Sequence, residues 1–272
     1  MKCGMSVIVA LALAAAGGCD LPYDTFARRE RGLVLVYTGI EGRSPLNESI
    51  CHGLNDGGVN TSIDLVDWTI KVPGAYLLNL RNESRNRRKA EDYADRIIRY
   101  RMAHPEGKVI LVGQSGGAAM ALWTAESLPA DQQVDGIILL AAAVSSEYPL
   151  GPALAKSRRG IISFHSRRDW LFLAAGTTFY GTMDGKHTTA AGMDGFEVPI
   201  RGAAAKQYAR LYQVAWGPEM DKTWNFGGHL GSGSRQFVTR YVAPFVMRPE
   251  WGEEMVRSVL DGRDVAAGTG GR

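Results

Sequence analysis

Val109-Ile110-Leu111-Val112 followed by Gly113-Gln114-Ser115-Gly116-Gly117 is the stretch that decides the fold. The four apolar residues predict a buried strand, and Gly116 to Leu128, rich in Ala and Leu, predicts a helix. Ser115 is thereby placed on a sharp strand-to-helix turn. Glycines on both sides suit a crowded turn in which the serine holds a strained backbone angle and its hydroxyl points outward. The N–H groups that open the helix, Gly116 first, point toward an anion forming beside the serine, with the positive end of the helix dipole behind them. The same pentapeptide also fits an ordinary tight turn in a doubly wound sheet. A base and an acid elsewhere in the chain decide between the two.

The chain has 272 residues, 45% apolar and 22% charged, a globular composition long enough for one α/β domain. A formal net charge of +3 is small for this length and argues against a nucleic-acid-binding protein. No zinc spacing, phosphate-binding loop or dinucleotide fingerprint is present, so no metal or cofactor is expected.

The first residues read as an export signal over 1–18. Lys2 precedes an apolar stretch from Met5 to Ala16, shorter than the ~20 residues that span a bilayer, and Ala16-Gly17-Gly18 leads to Cys19. A small-residue run ending in cysteine resembles the bacterial lipobox, which implies a lipid on Cys19 and a membrane-anchored protein of the cell envelope; Ala16 departs from the usual leucine. Of the three cysteines, Cys3 leaves with the signal and Cys19 carries the lipid, so Cys51 has no disulfide partner and is expected to be a small buried helical residue.

Residues 19–31 read as a tether and 32–248 as the folded domain. Leu33 to Tyr37 predicts a strand buried on both faces, ending in Thr38-Gly39-Ile40-Glu41-Gly42. A loop of this kind after an early strand can bring a backbone N–H, here that of Ile40, beside the serine as a second oxyanion donor; its other reading is a plain glycine-rich turn. Pro45 to Leu54 predicts a helix and Ile63 to Trp68 a strand, whereas Tyr76 to Leu80 fits either a strand or a covering segment. Arg81 to His104 is dense in charge, yet Ala90, Tyr93, Ala94, Ile97, Ile98 and Met102 recur at helical spacing, so the charges form the outer face of an amphipathic helix. Solvation explains that face, and contact with an anionic membrane is the sharper alternative. Gly136 to Ala143, Gly160 to His165 and Leu211 to Trp216 predict further strands, and the connection from Val144 to Arg159 is too short for an inserted lid domain. Ser234 to Met247 predicts a closing helix, kinked by Pro244, with Phe237, Tyr241 and Phe245 on one face. Residues 249–272 form a C-terminal segment whose Gly- and Ala-rich end is expected to be disordered.

Asp169 lies just beyond the strand ending at His165, at the carboxyl edge where parallel sheets assemble their sites. A carboxylate there can accept from a histidine Nδ1–H and fix its tautomer; an N-cap before Trp170-Leu171-Phe172 is its structural alternative, and Asp184 and Asp194 are its rivals. Five histidines are present, and a base that follows the acid in chain order must be His187 or His229. His229, in the flexible Asn225-Phe226-Gly227-Gly228-His229-Leu230-Gly231, is the better placed to reach the serine.

Ser115, Asp169 and His229 thus run in the order nucleophile, acid, base. At these residues the chain resembles the α/β-hydrolase superfamily, with G-Q-S-G-G as nucleophile elbow and G-G-H-L-G as histidine loop. T-G-I-E-G, D-W-T, G-Q-S-G-G and G-G-H-L-G together are similar to a group of uncharacterised bacterial α/β-hydrolases. The resemblance implies a single, mostly parallel sheet with helices on both faces and serine hydrolase chemistry, though no H-G-G-G oxyanion motif is present. An acyl ester is the default substrate, and an open site favours a small or medium acyl group over long-chain fat. The competing reading is an inactive envelope lipoprotein that keeps the fold for binding or scaffolding.

Overall fold

A computed structural model describes residues 21–72, 74–169, 182–199 and 201–262. The expected signal at 1–18, Cys19, the Trp170-Leu171-Phe172 segment and the tail from 265 lie outside the described residues. Among the described residues six strands build the sheet: β1 (Gly32–Tyr37), β2 (Ser62–Val66), β3 (Lys108–Gln114), β4 (Gly136–Leu140), β5 (Ile161–His165) and β6 (Leu211–Ala215). Their order is β2-β1-β3-β4-β5-β6 and every pairing is parallel. The protein is therefore a single α/β domain.

Helices α1 (Phe26–Arg29), α2 (Pro45–Asp56), α3 (Tyr76–Arg81), α4 (Glu83–Ala103), α5 (Gly116–Glu126) and α6 (Gly151–Ala155) precede or connect the first five strands. Alternation along the strands divides the core into two layers. Leu33, Leu35 and Tyr37 of β1 join Val109 and Leu111 of β3 against Ala90, Ala94 and Ile97 of α4 and the whole of α5. Val34, Val36, Ile110 and Val112 face the other way, onto Ile50 and Leu54 of α2 and onto Phe237 and Phe245. A strand covered on both faces must be apolar at every position, and β1 is buried throughout. Local rules set the helix starts: Ser44 caps α2 by accepting from Asn47 N–H, with Pro45 in the first turn, and Asn82 caps α4 by accepting from Arg85 N–H.

Several expectations change. Of the two readings of Tyr76 to Leu80 the strand fails: the segment is the short helix α3, which buries Asn79 and Leu80 and leaves Leu77 and Leu78 exposed. Met102 is 79% exposed because it lies off the buried face of Ala90, Ala94, Ile97 and Tyr100, about 140° around the helix from Ile97, although its spacing from Ile98 fitted an apolar stripe. β2 ends at Val66, and the buried Trp68 instead sends its indole N–H to Thr38 O at 2.8 Å. β4 ends at Leu140, where Ala141 at φ 48° turns the chain behind Ser115. The closing helix is broken into Arg235–Phe237, a π turn Val238–Val242 and Ala243–Met247. Pro244 has no N–H to donate and its ring crowds the preceding turn, and the wider π turn lies directly before it. Phe237, Tyr241 and Phe245 are buried together all the same. A further helix, Glu253–Asp261, buries Val256 and Val259. Cys51 is free and fully buried in α2, where burial pushes its thiol pKa up.

The first reversal of strand order opens a crevice between the carboxyl ends of β1 and β3, paired through Tyr37 and Gly113. Helix α5 leaves that crevice so close to β1 that a Cβ on Gly117 would stand 2.3 Å from Tyr37 O, while one on Gly228 would meet nothing within 4 Å. Gly117→Ala should therefore cost about 2 kcal/mol through overpacking, and Gly228→Ala should stay within about 0.5 kcal/mol of wild type. Urea unfolding of the two variants checks this.

Candidate active site

Ser115 stands between Gln114, which ends β3, and Gly116, which opens α5, at φ 54° and ψ −120°. A side-chain-bearing residue held there costs on the order of 1–3 kcal/mol, so the surroundings must over-determine it. They do so through its backbone. Ser115 N–H donates to Leu140 O at 2.9 Å, and Ser115 O accepts from Ala118 and Ala143 N–H, each at 3.1 Å. The neighbouring Gly113 is required by contact, since a Cβ there would lie 2.4 Å from Gly117 O.

His229 Nε2 lies 2.8 Å from Ser115 Oγ and its Nδ1 lies 2.8 Å from Asp169 Oδ2. With Nδ1 protonated and donating to the carboxylate, Nε2 is left to accept from the serine hydroxyl. Asp169 is 2% exposed at the end of the β5 loop, its own N–H donating to Ser166 O at 3.0 Å. Burial raises the Asp169 pKa and contact with His229 pulls it back down. Behind it lies a cavity of about 20 Å³ lined in part by His165, Ser166, Asn225 and Ser232, room for about one water molecule.

The histidine loop is held at its base rather than at its tip. Trp216 Nε1–H donates to Asn225 O at 2.7 Å, and Asn225 Oδ1 accepts from Gly227 N–H at 3.1 Å. The Arg168 guanidinium stacks 4.0 Å above the Trp216 ring. Gly227 has φ 83°, and a Cβ there would also press within 2.8 Å of Ser166 Oγ, so the turn that aims His229 needs glycine. The rival residues lie elsewhere. Asp184 accepts from Ser145 N–H at 2.9 Å, Asp194 faces Arg167 at 3.3 Å, and His187 is exposed.

The loop after β1 passes directly over Gly116. A Cβ on Gly116 would lie 2.6 Å from Ile40 Cγ2 and 3.5 Å from Ile40 N, so the Ile40 backbone closes over the start of α5. Among the described residues neither the Ile40 N–H nor the Gly116 N–H donates to a backbone carbonyl. The D-W-T stretch braces this loop at both ends, Trp68 through Thr38 O and Asp67 Oδ2 through Arg43 N–H at 2.9 Å. Asn79 of α3 braces its middle, Nδ2 donating to Ile40 O at 3.0 Å.

Sequence reasoning missed Asn79 and Glu41. Asn79 lay in the segment left between strand and cover, and only a buried amide on an otherwise apolar run marks it. Glu41 sits half-buried beside Ile40, close enough to His229 for the two to interact electrostatically. Two groups of apolar side chains are exposed on the elements that carry these contacts: Tyr76, Leu77 and Leu78 on α3 and Trp224, Phe226 and Leu230 in and before the histidine loop, all at least 44% exposed.

No protein-family model matches the chain, and no curated protein matches it in sequence. Solved structures resemble it in shape. One is a protein from Xanthomonas campestris pv. campestris assigned as a hydrolase of the alpha/beta superfamily (20% identity, TM-score 0.41, covering 76% of this chain and 96% of that one). Another is lipase B of Aspergillus fumigatus (11% identity, TM-score 0.49, 89% and 59%). A third is a cutinase-like protein from Cryptococcus sp. (13% identity, TM-score 0.43, 82% and 96%). At such distances the reading of the site rests on its own geometry.

Burial raises the Glu41 pKa above the ordinary 4.5, against hydrogen bonds from its own backbone and Asn47 and the nearby His229, which lower it. Between those two values the native carboxyl holds a proton that the unfolded chain has lost, so its contribution to stability falls as pH rises through that window. Glu41→Gln removes the effect. The melting temperature of the variant relative to wild type should climb as pH is raised from just below 4.5, and a flat difference would contradict the assignment.

Proposed function

We propose that the protein is a serine hydrolase that cleaves acyl esters through an acyl-enzyme. The observation that carries this reading is the continuous hydrogen-bonded line from Asp169 through His229 to Ser115, with the Ile40 backbone closing over Gly116 at the elbow.

Each step follows from this arrangement. Nε2 of His229 takes the Ser115 proton as Oγ attacks the ester carbonyl carbon, and the positive charge formed on the imidazole is met by Asp169. The carbonyl oxygen, now an anion, turns toward the Ile40 and Gly116 N–H groups at the positive end of α5. His229 then returns its proton to the departing alkoxide, leaving the acyl group on Ser115. Water, deprotonated by the same imidazole, attacks the acyl carbon and releases the acid. An alkoxide asks less of the general acid than an amide nitrogen does, which supports an ester as substrate.

The surroundings support a small or medium acyl group. Among the described residues, the cavity beside the triad holds about 20 Å³ and lies behind Asp169, away from the serine. The acyl and alcohol parts would therefore lie along the exposed apolar side chains of α3 and the histidine loop. An export signal and a lipid on Cys19 would place the reaction in the cell envelope.

Kinetics on p-nitrophenyl esters of increasing acyl length test the reading. Wild type should turn over the short and medium esters best. Ser115→Ala and His229→Ala should each lower kcat by ~10⁴ or more, as deletions in such triads do. Asp169→Asn should lose a comparable factor, whereas Asp184→Asn and Asp194→Asn should change kcat less than about threefold, since neither touches the triad. No turnover of any ester, together with no labelling of Ser115 by a fluorophosphonate, would leave the non-catalytic envelope protein as the better account.

A further inference from the structure

The two most exposed large apolar side chains among the described residues are Phe26 at 77% and Met102 at 79%, and neither is near the candidate site. Both lie at the amino edge of the sheet. Phe26 is on α1, which leads into β1, and Met102 is in the last turn of α4, which leads into β3. The two elements are joined: Tyr100 Oη–H donates to Arg29 O at 2.6 Å and His104 Nδ1 lies 3.2 Å from Glu30 Oε1. Between them opens a cleft of about 290 Å³, with Leu33, Tyr100 and Ala103 as apolar lining and arginines, Arg99 among them, at its rim.

The charge of this face is lopsided. Arg29 is paired with Asp24 and Arg96 with Asp64, but Arg31, Arg99 and Lys108 are exposed and make no ion pair among the described residues. Against them stand Glu30, which faces His104, Asp95 one turn before Arg99 on α4, Glu106 in the turn before β3, and Asp131, which lines one groove with Lys108. Single exposed apolar residues are ordinary on a protein surface. Two of them at one edge of the sheet, with cations there that make no ion pair, are what an amphipathic membrane-facing surface presents.

The chain also enters its folded body here. Tyr23 O accepts from Ile63 N–H at 3.1 Å, which fixes the first described residues at the amino end of β2. Cys19 lies two residues before Leu21, a reach of about 7 Å at full extension. β3 has seven residues before Ser115, and at ~3.3 Å each they hold the serine roughly 20 Å from this edge.

We propose that the amino-edge face rests on an anionic phospholipid surface, Phe26 and Met102 entering the headgroup layer between Arg31, Arg99 and Lys108. The candidate active site is then held facing away from that membrane. Its substrate arrives from the compartment beyond, not from the supporting bilayer. The proposal rests on the expectation of an exported chain lipid-modified at Cys19 and is independent of the ester-hydrolase reading. Each cation near an anionic surface strengthens partition by about fivefold.

Depth-dependent quenching tests the orientation. The mature protein, with Cys3 removed along with the signal and Cys19 lipid-modified, carrying Met102→Cys or Phe226→Cys, is labelled with a bimane, a reaction the buried Cys51 does not enter. It is then reconstituted into phosphatidylglycerol/phosphatidylcholine vesicles containing nitroxide lipid, with circular dichroism confirming that both variants are folded. The probe at 102 should be quenched at least about twofold, and the probe at 226, in the histidine loop, should not. Combining Arg31→Glu, Arg99→Glu and Lys108→Glu should abolish the quenching at 102. Quenching at 226 in place of 102 would overturn the proposal by turning the site toward the bilayer. Quenching at neither position would overturn it by showing that no face docks.

Discussion

The strained backbone of Ser115 is the constraint on which the rest of the molecule depends. A residue with a side chain stays at φ 54° only if its neighbours forbid relaxation. Its N–H is tied to the end of β4, its carbonyl to both α5 and the turn after β4, and α5 is pressed against β1 at a distance only glycine allows. Because strand, helix and turn meet at one residue, their relative placement also fixes where the hydroxyl points.

From that point the site is assembled by elements that have little else in common. β1 delivers Ile40, β5 delivers Asp169, and the segment after β6 delivers His229, all at the carboxyl edge. Each is braced from outside. Trp68, Asp67 and Asn79 hold the Ile40 loop, and Trp216 with Asn225 holds the base of the histidine loop. Trp224, five residues before His229, adopts φ 61° with its ring mostly exposed. After Ser115 and Ala141 that is a third costly conformation, kept by a loop anchored at both Asn225 and Thr223, the latter accepting at its carbonyl from Ser234 Oγ–H at 2.6 Å.

Much of this was legible in the chain because it depends on periodicity and steric need. Buried strands reveal themselves as unbroken apolar runs, and the elbow by glycines where no Cβ fits. Asp169 was marked by its place just beyond the strand ending at His165, and His229 by chain order together with its glycine-rich loop. What escaped depends on contacts between distant segments. Asn79 braces Ile40 across 39 positions of sequence, and nothing local distinguishes it from a surface amide. Met102 kept an apolar spacing from Ile98, yet the buried face of α4 runs through Ala94, Ile97 and Tyr100 and leaves it outside. Val256 and Val259 have helical spacing too, but the Gly- and Ala-rich residues that follow obscure so short an amphipathic helix. The π turn before Pro244 reflects a conflict between a missing donor and a face that must stay buried, which the apolar pattern alone does not resolve.

The account turns on Ser115 attacking a carbonyl whose oxygen is received by two particular amides, and a crystal structure of the phosphonylated protein tests that most directly. The account predicts phosphorus bonded to Ser115 Oγ and one phosphonyl oxygen about 2.7–3.1 Å from both Ile40 N and Gly116 N. A phosphonylated protein with Ser115 free, or with that oxygen turned away from both amides, would contradict it.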